Sequence, residues 1–78
     1  MLDMRTTTTA RQVGKNVRAE MARHGLTQTQ VALTLGVSQS GVSRRLLGAI
    51  AFDVVELGTL AHLFDVPASY LLGENAAA

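Results

Sequence analysis

Seventy-eight residues give room for one domain, and 47% of them are apolar, enough for one compact core. The chain has no cysteine, which excludes disulfides and thiolate metal sites and fits a reducing cytoplasm. Its longest nearly unbroken apolar run, residues 46–52, falls far short of the roughly 20 residues that span a bilayer. Net charge is only +1, but it is unevenly laid out. Residues 1–45 hold every basic side chain (Arg5, Arg11, Lys15, Arg18, Arg23, Arg44, Arg45) against Asp3 and Glu20, whereas residues 46–78 hold Asp53, Glu56, Asp65 and Glu74 and no base. One end of a small molecule thus carries a positive field of the kind that approaches phosphates.

Residues 1–8 lack apolar periodicity and read as a flexible arm running into a threonine tract, with no trace of a signal peptide. Thr9 and Gln12 form a capping-box pattern that opens a first helix. On it Val13, Val17, Met21 and His24 fall on one side, with Ala10 nearby, and Arg11, Lys15 and Arg18 on another. Gly25 ends it as a left-handed cap. Thr27 and Gln30 repeat the box at the start of a second helix, Gln28–Leu35, with Val31, Ala32 and Leu35 inward. Gly36 breaks that helix, Val37 returns the chain to the core, and Ser38 caps a third, Gln39–Leu47, which Gly48 stops. After residues 49–52, Asp53 and Glu56 signal a fourth helix carrying Val54, Leu57, Leu60, Ala61 and Phe64. Asp65, Val66 and Pro67 end it, with Pro67 suited to the first turn of a short fifth helix through Leu72. Nothing alternates with period two. The expectation is an all-α domain of five short helices over residues 9–73, followed by a short tail, 74–78.

The stretch from residue 28 to 47 has the layout of a helix-turn-helix. Two helices meeting at a steep angle need a small residue at the contact (Ala32), a glycine at the turn (Gly36), and apolar anchors on both helices and between them (Val31, Leu35, Val37, Val42). The anchor usual three residues after Val42 is replaced by Arg45, with Leu46 beside it to fill the space. With Gly25-Leu26-Thr27-Gln28, Leu35-Gly36-Val37-Ser38-Gln39-Ser40, Leu60-Ala61-His62-Leu63-Phe64-Asp65-Val66 and Tyr70-Leu71-Leu72-Gly73, the chain resembles the Cro and phage-repressor family of helix-turn-helix regulators. The resemblance covers about residues 10–73 and implies the compact five-helix lambda-repressor-like fold and sequence-specific binding of double-stranded operator DNA.

The residues support a division of labour. Thr27 and Gln28 sit at a helix start, where free N–H groups and the helix dipole favour a phosphate, and in relatives the matching glutamine clamps the DNA backbone. If Val42 and Leu46 are the buried side of the third helix, Ser40, Ser43, Arg44 and Leu47 project roughly opposite, and Gln39 lies at the entering tip. Such positions reach base edges in the major groove, glutamine pairing with adenine and arginine with guanine. The expected base readers are Gln39, Ser40, Ser43 and Arg44, with Gln39 and Arg44 foremost. The expected phosphate contacts are Thr27, Gln28, Ser38 (also a short adapter) and Arg45, for which lying along the surface is an equal reading.

Two departures from the family pattern bear on mechanism. Many relatives join the first helix to the end of the third by a buried arginine–glutamate pair; the matching residues here are Met21 and Leu46, which leave no orphan charge. The loop after the third helix is often basic in relatives, but here it reads Ala49-Ile50-Ala51-Phe52, either closing the core or joining a dimer contact. Phosphate affinity then falls on the first helix, the recognition helix and Arg5. In relatives the dimer contact lies near the fifth helix and the loop before the fourth, which here offer Ile50, Phe52, Val66, Pro67, Ala68 and Tyr70; a weak homodimer on DNA is expected, with burial of Tyr70 in its own core as the other reading. His24 and His62 lack a third metal ligand, and no catalytic set or phosphate-binding glycine loop is present. No enzyme activity, metal, cofactor, membrane contact or small-molecule effector is expected, and the cytoplasm is the expected location. A Cro-like or immunity-repressor-like regulator leads, although the DNA-binding domain of a longer repressor reads the same. The alternative is an antitoxin-type interaction module of the same fold, disfavoured by a tail too short to bind a toxin.

Overall fold

A computed structural model describes residues 8–73 and carries five helices: α1 (Ala10–His24), α2 (Gln28–Leu35), α3 (Gln39–Leu47), α4 (Val54–Phe64) and α5 (Ala68–Leu71). No strand occurs among the described residues, and the expected fold class holds. Arg5, the rest of the arm up to residue 7, and the tail from 74 onward lie outside the described residues. No helix is long and apolar enough to cross a membrane among the described residues.

Local signals set the helix ends. Both halves of the capping box form at Thr27–Gln30 and at Asp53–Glu56. At the start of α1 only one half forms: Thr9 Oγ1 accepts the Gln12 N–H at 3.1 Å, while the Gln12 side chain donates to Asn16 Oδ1 instead. Ser38 caps α3 by accepting the Gly41 N–H at 3.0 Å. Three of the helices stop on glycines with left-handed backbone, Gly25, Gly36 and Gly48. Asp65 ends α4 in the same conformation at φ 56°, which a short polar side chain tolerates better than most. Pro67 is the residue before α5 rather than part of its first turn; its extended ψ of 149° sends the chain into the helix without a side-chain cap.

The core is built around Val17, Val31, Val42, Leu60, Phe64 and Leu71, all but sealed from solvent. Met21 and Leu46 both join this cluster, so the apolar pair occupies the interior without a charge to satisfy. Phe52 is also part of it, 8% exposed. Val54, expected inward, is 82% exposed, because the first turn of α4 projects past the core edge and the buried side begins at Leu57.

Helices α1 and α3 touch backbone to backbone. A Cβ on Gly14 would overlap the Leu46 carbonyl oxygen and lie 2.9 Å from that of Arg45, and one on Gly48 would lie 2.6 Å from Arg11 Cα. Neither position has room for a side chain. At its other edge α1 holds the end of the fold: Asn16 Nδ2 donates to the Leu71 carbonyl at 2.9 Å, and Thr8 Oγ1 donates to that of Leu72 at 3.0 Å. The carbonyls at the end of the short α5 are thus satisfied by the side chains of Asn16 on α1 and of Thr8 just before it.

Gly14→Ala tests the close contact. Alanine is the better helix former by about 1 kcal/mol, yet the clash is expected to lower stability by about 1–3 kcal/mol in urea unfolding. A more stable variant would show that the two backbones are not in contact.

Candidate nucleic-acid interface

The turn between α2 and α3 is tied by the N–H groups of Gly36 and Val37, which both donate to the Ala32 carbonyl at 2.9 and 3.1 Å. Val31, Ala32 and Val42 are buried around it, and Leu35 and Val37 pack on the core from its margin. Since Val42 and Leu46 turn one side of α3 inward, its opposite side is committed to the surface. Gln39, Ser40, Arg44 and Leu47 are exposed there and Ser43 is half-buried. Gln28, at the first position of α2, joins Gln39, Ser40, Ser43 and Arg44 around one open cleft of about 490 Å³. All four expected base readers and the expected glutamine clamp therefore share one concavity.

The other expected phosphate contacts differ. Thr27 donates both its N–H and its hydroxyl to Gln30 Oε1, at 2.8 and 3.2 Å, so it has no proton to offer a phosphate in this geometry. The Ser38 hydroxyl is exposed but engaged, accepting from Gly41 and lying 3.2 Å from Ser40 Oγ. Arg45 turns toward the protein rather than outward. Its Nε and Nη2 donate to the two carboxylate oxygens of Glu56 at 3.1 and 3.2 Å, and its Nη1 donates to the Gly41 carbonyl at 3.0 Å. The two side chains are 16% and 12% exposed. Turning this arginine outward to a phosphate would strand Glu56, so its role is to fasten α3 to the first turn of α4.

Of the two readings of the loop before α4, Phe52 takes the core-closing one, 8% exposed within the buried cluster. Among the other expected contacts with a second copy, Ile50, Pro67 and Ala68 are exposed, Tyr70 is half-buried, and Val66 packs partly against the core. Sequence reasoning missed Glu20, which is 3% exposed. Its oxygens lie 3.5 Å from Arg23 Nε and 3.7 Å from His24 Nε2, Oε1 has no hydrogen-bond partner among the described residues, and the His24 ring stacks on Phe64 at 5.6 Å. Its only sequence signal was the i,i+3 and i,i+4 spacing to Arg23 and His24. Arg23 and Arg45 are thus held by acids, while Arg11, Lys15, Arg18 and Arg44 pair with no acid among the described residues.

A family model described as the BetR domain matches residues 9–78. No curated protein matches the chain. Several solved structures do. The restriction-modification controller protein C.AhdI from Aeromonas hydrophila is 24% identical over 80% of this chain and 94% of its own, with a TM-score of 0.71. The clp gene regulator ClgR from C. glutamicum is 22% identical over 87% of this chain and 88% of its own, with a TM-score of 0.75. At these identities the likeness establishes the fold. A transcriptional regulator from Listeria innocua is 29% identical with a TM-score of 0.74, and it is matched over 80% of this chain but only 58% of its own length.

The ion pair between α3 and α4 yields a direct measurement. A double-mutant cycle of Arg45→Ala and Glu56→Ala is expected to return a coupling energy of about 1–3 kcal/mol, above that of an exposed pair. A coupling near zero would return Arg45 to the list of surface cations.

Proposed function

We propose that this chain, which belongs to the BetR domain family, is a transcriptional regulator that reads double-stranded operator DNA in the major groove with α3. Its helix-turn-helix is of the Cro and phage-repressor type. The observation that carries the reading is the convergence of Gln28 from α2 with Gln39, Ser40, Ser43 and Arg44 of α3 on one open cleft, the other side of α3 being buried in the core. A rigid helix with short polar side chains near its start and one unpaired arginine beyond them suits base readout: the serines let the backbone approach, while Gln39 and Arg44 reach. Gln28 supplies the backbone grip, since its amide is unspent where the Thr27 hydroxyl is not. What the solved structures are described as, a transcriptional regulator and a restriction-modification controller among them, agrees with this reading. Repression by occluding polymerase at the operator is its simplest form.

One α3 reads only a few base pairs, so the reading includes a weak dimer on an inverted repeat, with the two helices about 34 Å apart. The apolar side chains left at the surface around the start of α4 (Ile50, Val54, Val55) and at α5 (Pro67, Ala68, Tyr70) supply its contact. Phe52 takes no part.

Selection from a random duplex library tests the function, and an absence of any preferred sequence would reject it. On the selected site, Gln39→Ala and Arg44→Ala are each expected to weaken binding by about 1–3 kcal/mol and to relax preference at one base pair. Gln28→Ala is expected to weaken all sequences alike. Sedimentation of the complex at saturation is expected to show two chains per symmetric site; one chain on a single half-site would reject the dimer.

A further inference from the structure

A second groove, of about 160 Å³, runs beside the C-terminal end of α3, lined by Arg11, Lys15, Arg18, Leu46 and Leu47. Its three cations are spaced i, i+4 and i+7 on α1, all exposed, and none pairs with an acid among the described residues. We infer that this groove is a clamp for the sugar–phosphate backbone of duplex DNA, gripping the strand that flanks the major groove entered by α3. The inference rests on the proposed DNA-reading function and gives it a second, sequence-blind contact surface.

Three observations converge on it. The first is continuity. Leu47, 64% exposed, is the last residue of α3 and lines the groove, while Ser43 and Arg44 line the reading cleft one turn earlier. The two concavities thus follow one another along the helix. The second is chemistry: cations beside an apolar floor match a strand whose phosphates are anionic and whose deoxyribose faces are not. Seven residues of α1 span about 10 Å, enough to face two or three phosphates of one strand at about 3.4 Å of axial rise each. The contact of Gly14 and Gly48 with the facing backbones fixes the stripe against α3, so clamp and reader form one rigid surface.

The third is a conflict with the needs of the helix itself. The first turn of α1 has no acid, and it carries Arg11 where the dipole disfavours a cation. Arg11–Lys15 and Lys15–Arg18 are like-charge neighbours at i,i+4 and i,i+3, which also oppose helix formation. The stripe therefore works against the free fold, and a polyanion laid along it relieves both repulsions. It also stands in for the uncharged loop Ala49-Ile50-Ala51-Phe52 that follows α3.

The test separates fold from binding. The full-length chain and the triple variant Arg11→Ala, Lys15→Ala, Arg18→Ala are compared by thermal melting, and by anisotropy on a selected duplex and a random-sequence duplex across a salt series. Alanine keeps the Arg11 Cβ against Gly48. The variant is expected to melt no lower than the parent, and about 2 °C higher if the repulsions are relieved. Both duplexes are expected to bind more weakly by a similar factor, with the slope of log K against log salt reduced by about three for each bound chain. Single methylphosphonate substitutions in the selected duplex are expected to weaken the parent at two or three adjacent phosphates of each half-site and to leave the variant unaffected there. A parent that prefers no duplex would remove the underlying reading. A parent that binds, with a variant of unchanged affinity and slope, would overturn the clamp alone. A reduced slope without any position-specific methylphosphonate effect would overturn it too, reducing the stripe to a long-range field.

Discussion

The meeting of α1 with the end of α3, where Gly14 lies over the Leu46 carbonyl and Gly48 over the backbone of Arg11, governs what the rest of the molecule does. Two helices this close exchange no side chains at the contact, so their relative position is fixed by main-chain geometry rather than by flexible packing. The buried row on α1, Val13, Val17 and Met21, then meets Val42 and Leu46 in one cluster. Only one orientation of α3 is left, with Ser40, Ser43 and Arg44 outward. The base-reading face is in this sense a by-product of a steric limit on its other side.

A net charge of +1 conceals two separate electrostatic populations. Arg45 is largely out of water and fastens α3 to Glu56 of α4, whereas Arg23 stays 63% exposed while its nitrogen lies against the buried Glu20 on the same helix. Arg11, Lys15, Arg18 and Arg44 stay at the surface with no acid beside them among the described residues. The base withdrawn from the surface, Arg45, takes its acid with it, so the four unpaired bases keep their field. Counting charges along the chain detects the asymmetry but not which of the bases are available.

What could be read from the sequence were the features decided within one helical turn. The boxes at Thr27–Gln30 and Asp53–Glu56, the Ser38 cap and the glycine stops each join residues no more than five apart, and the helices lie where those signals put them. The half-buried pattern of α3 was legible for the same reason. Features needing a partner from another helix were not. Arg45 looked like a surface cation until Glu56 met it from α4, Phe52 could equally have stayed outside, and Val54 had the correct spacing but sat beyond the edge of the core. Gly14 carries no local signal, since a helical glycine shows its purpose only when the opposing carbonyl is known.

Glu56 serves two masters. Its Oε1 accepts the Asp53 N–H that begins α4 and also the Nε of Arg45 from α3, both at 3.1 Å, while Oε2 takes the second arginine N–H. One carboxylate is at once a helix cap and a strut. The first turn of α4, with Val54 and Val55 bare on its outer side, is therefore tied to the reading helix by this carboxylate as well as by the loop 49–52. The two cannot part without leaving either the helix start or the guanidinium short of a partner.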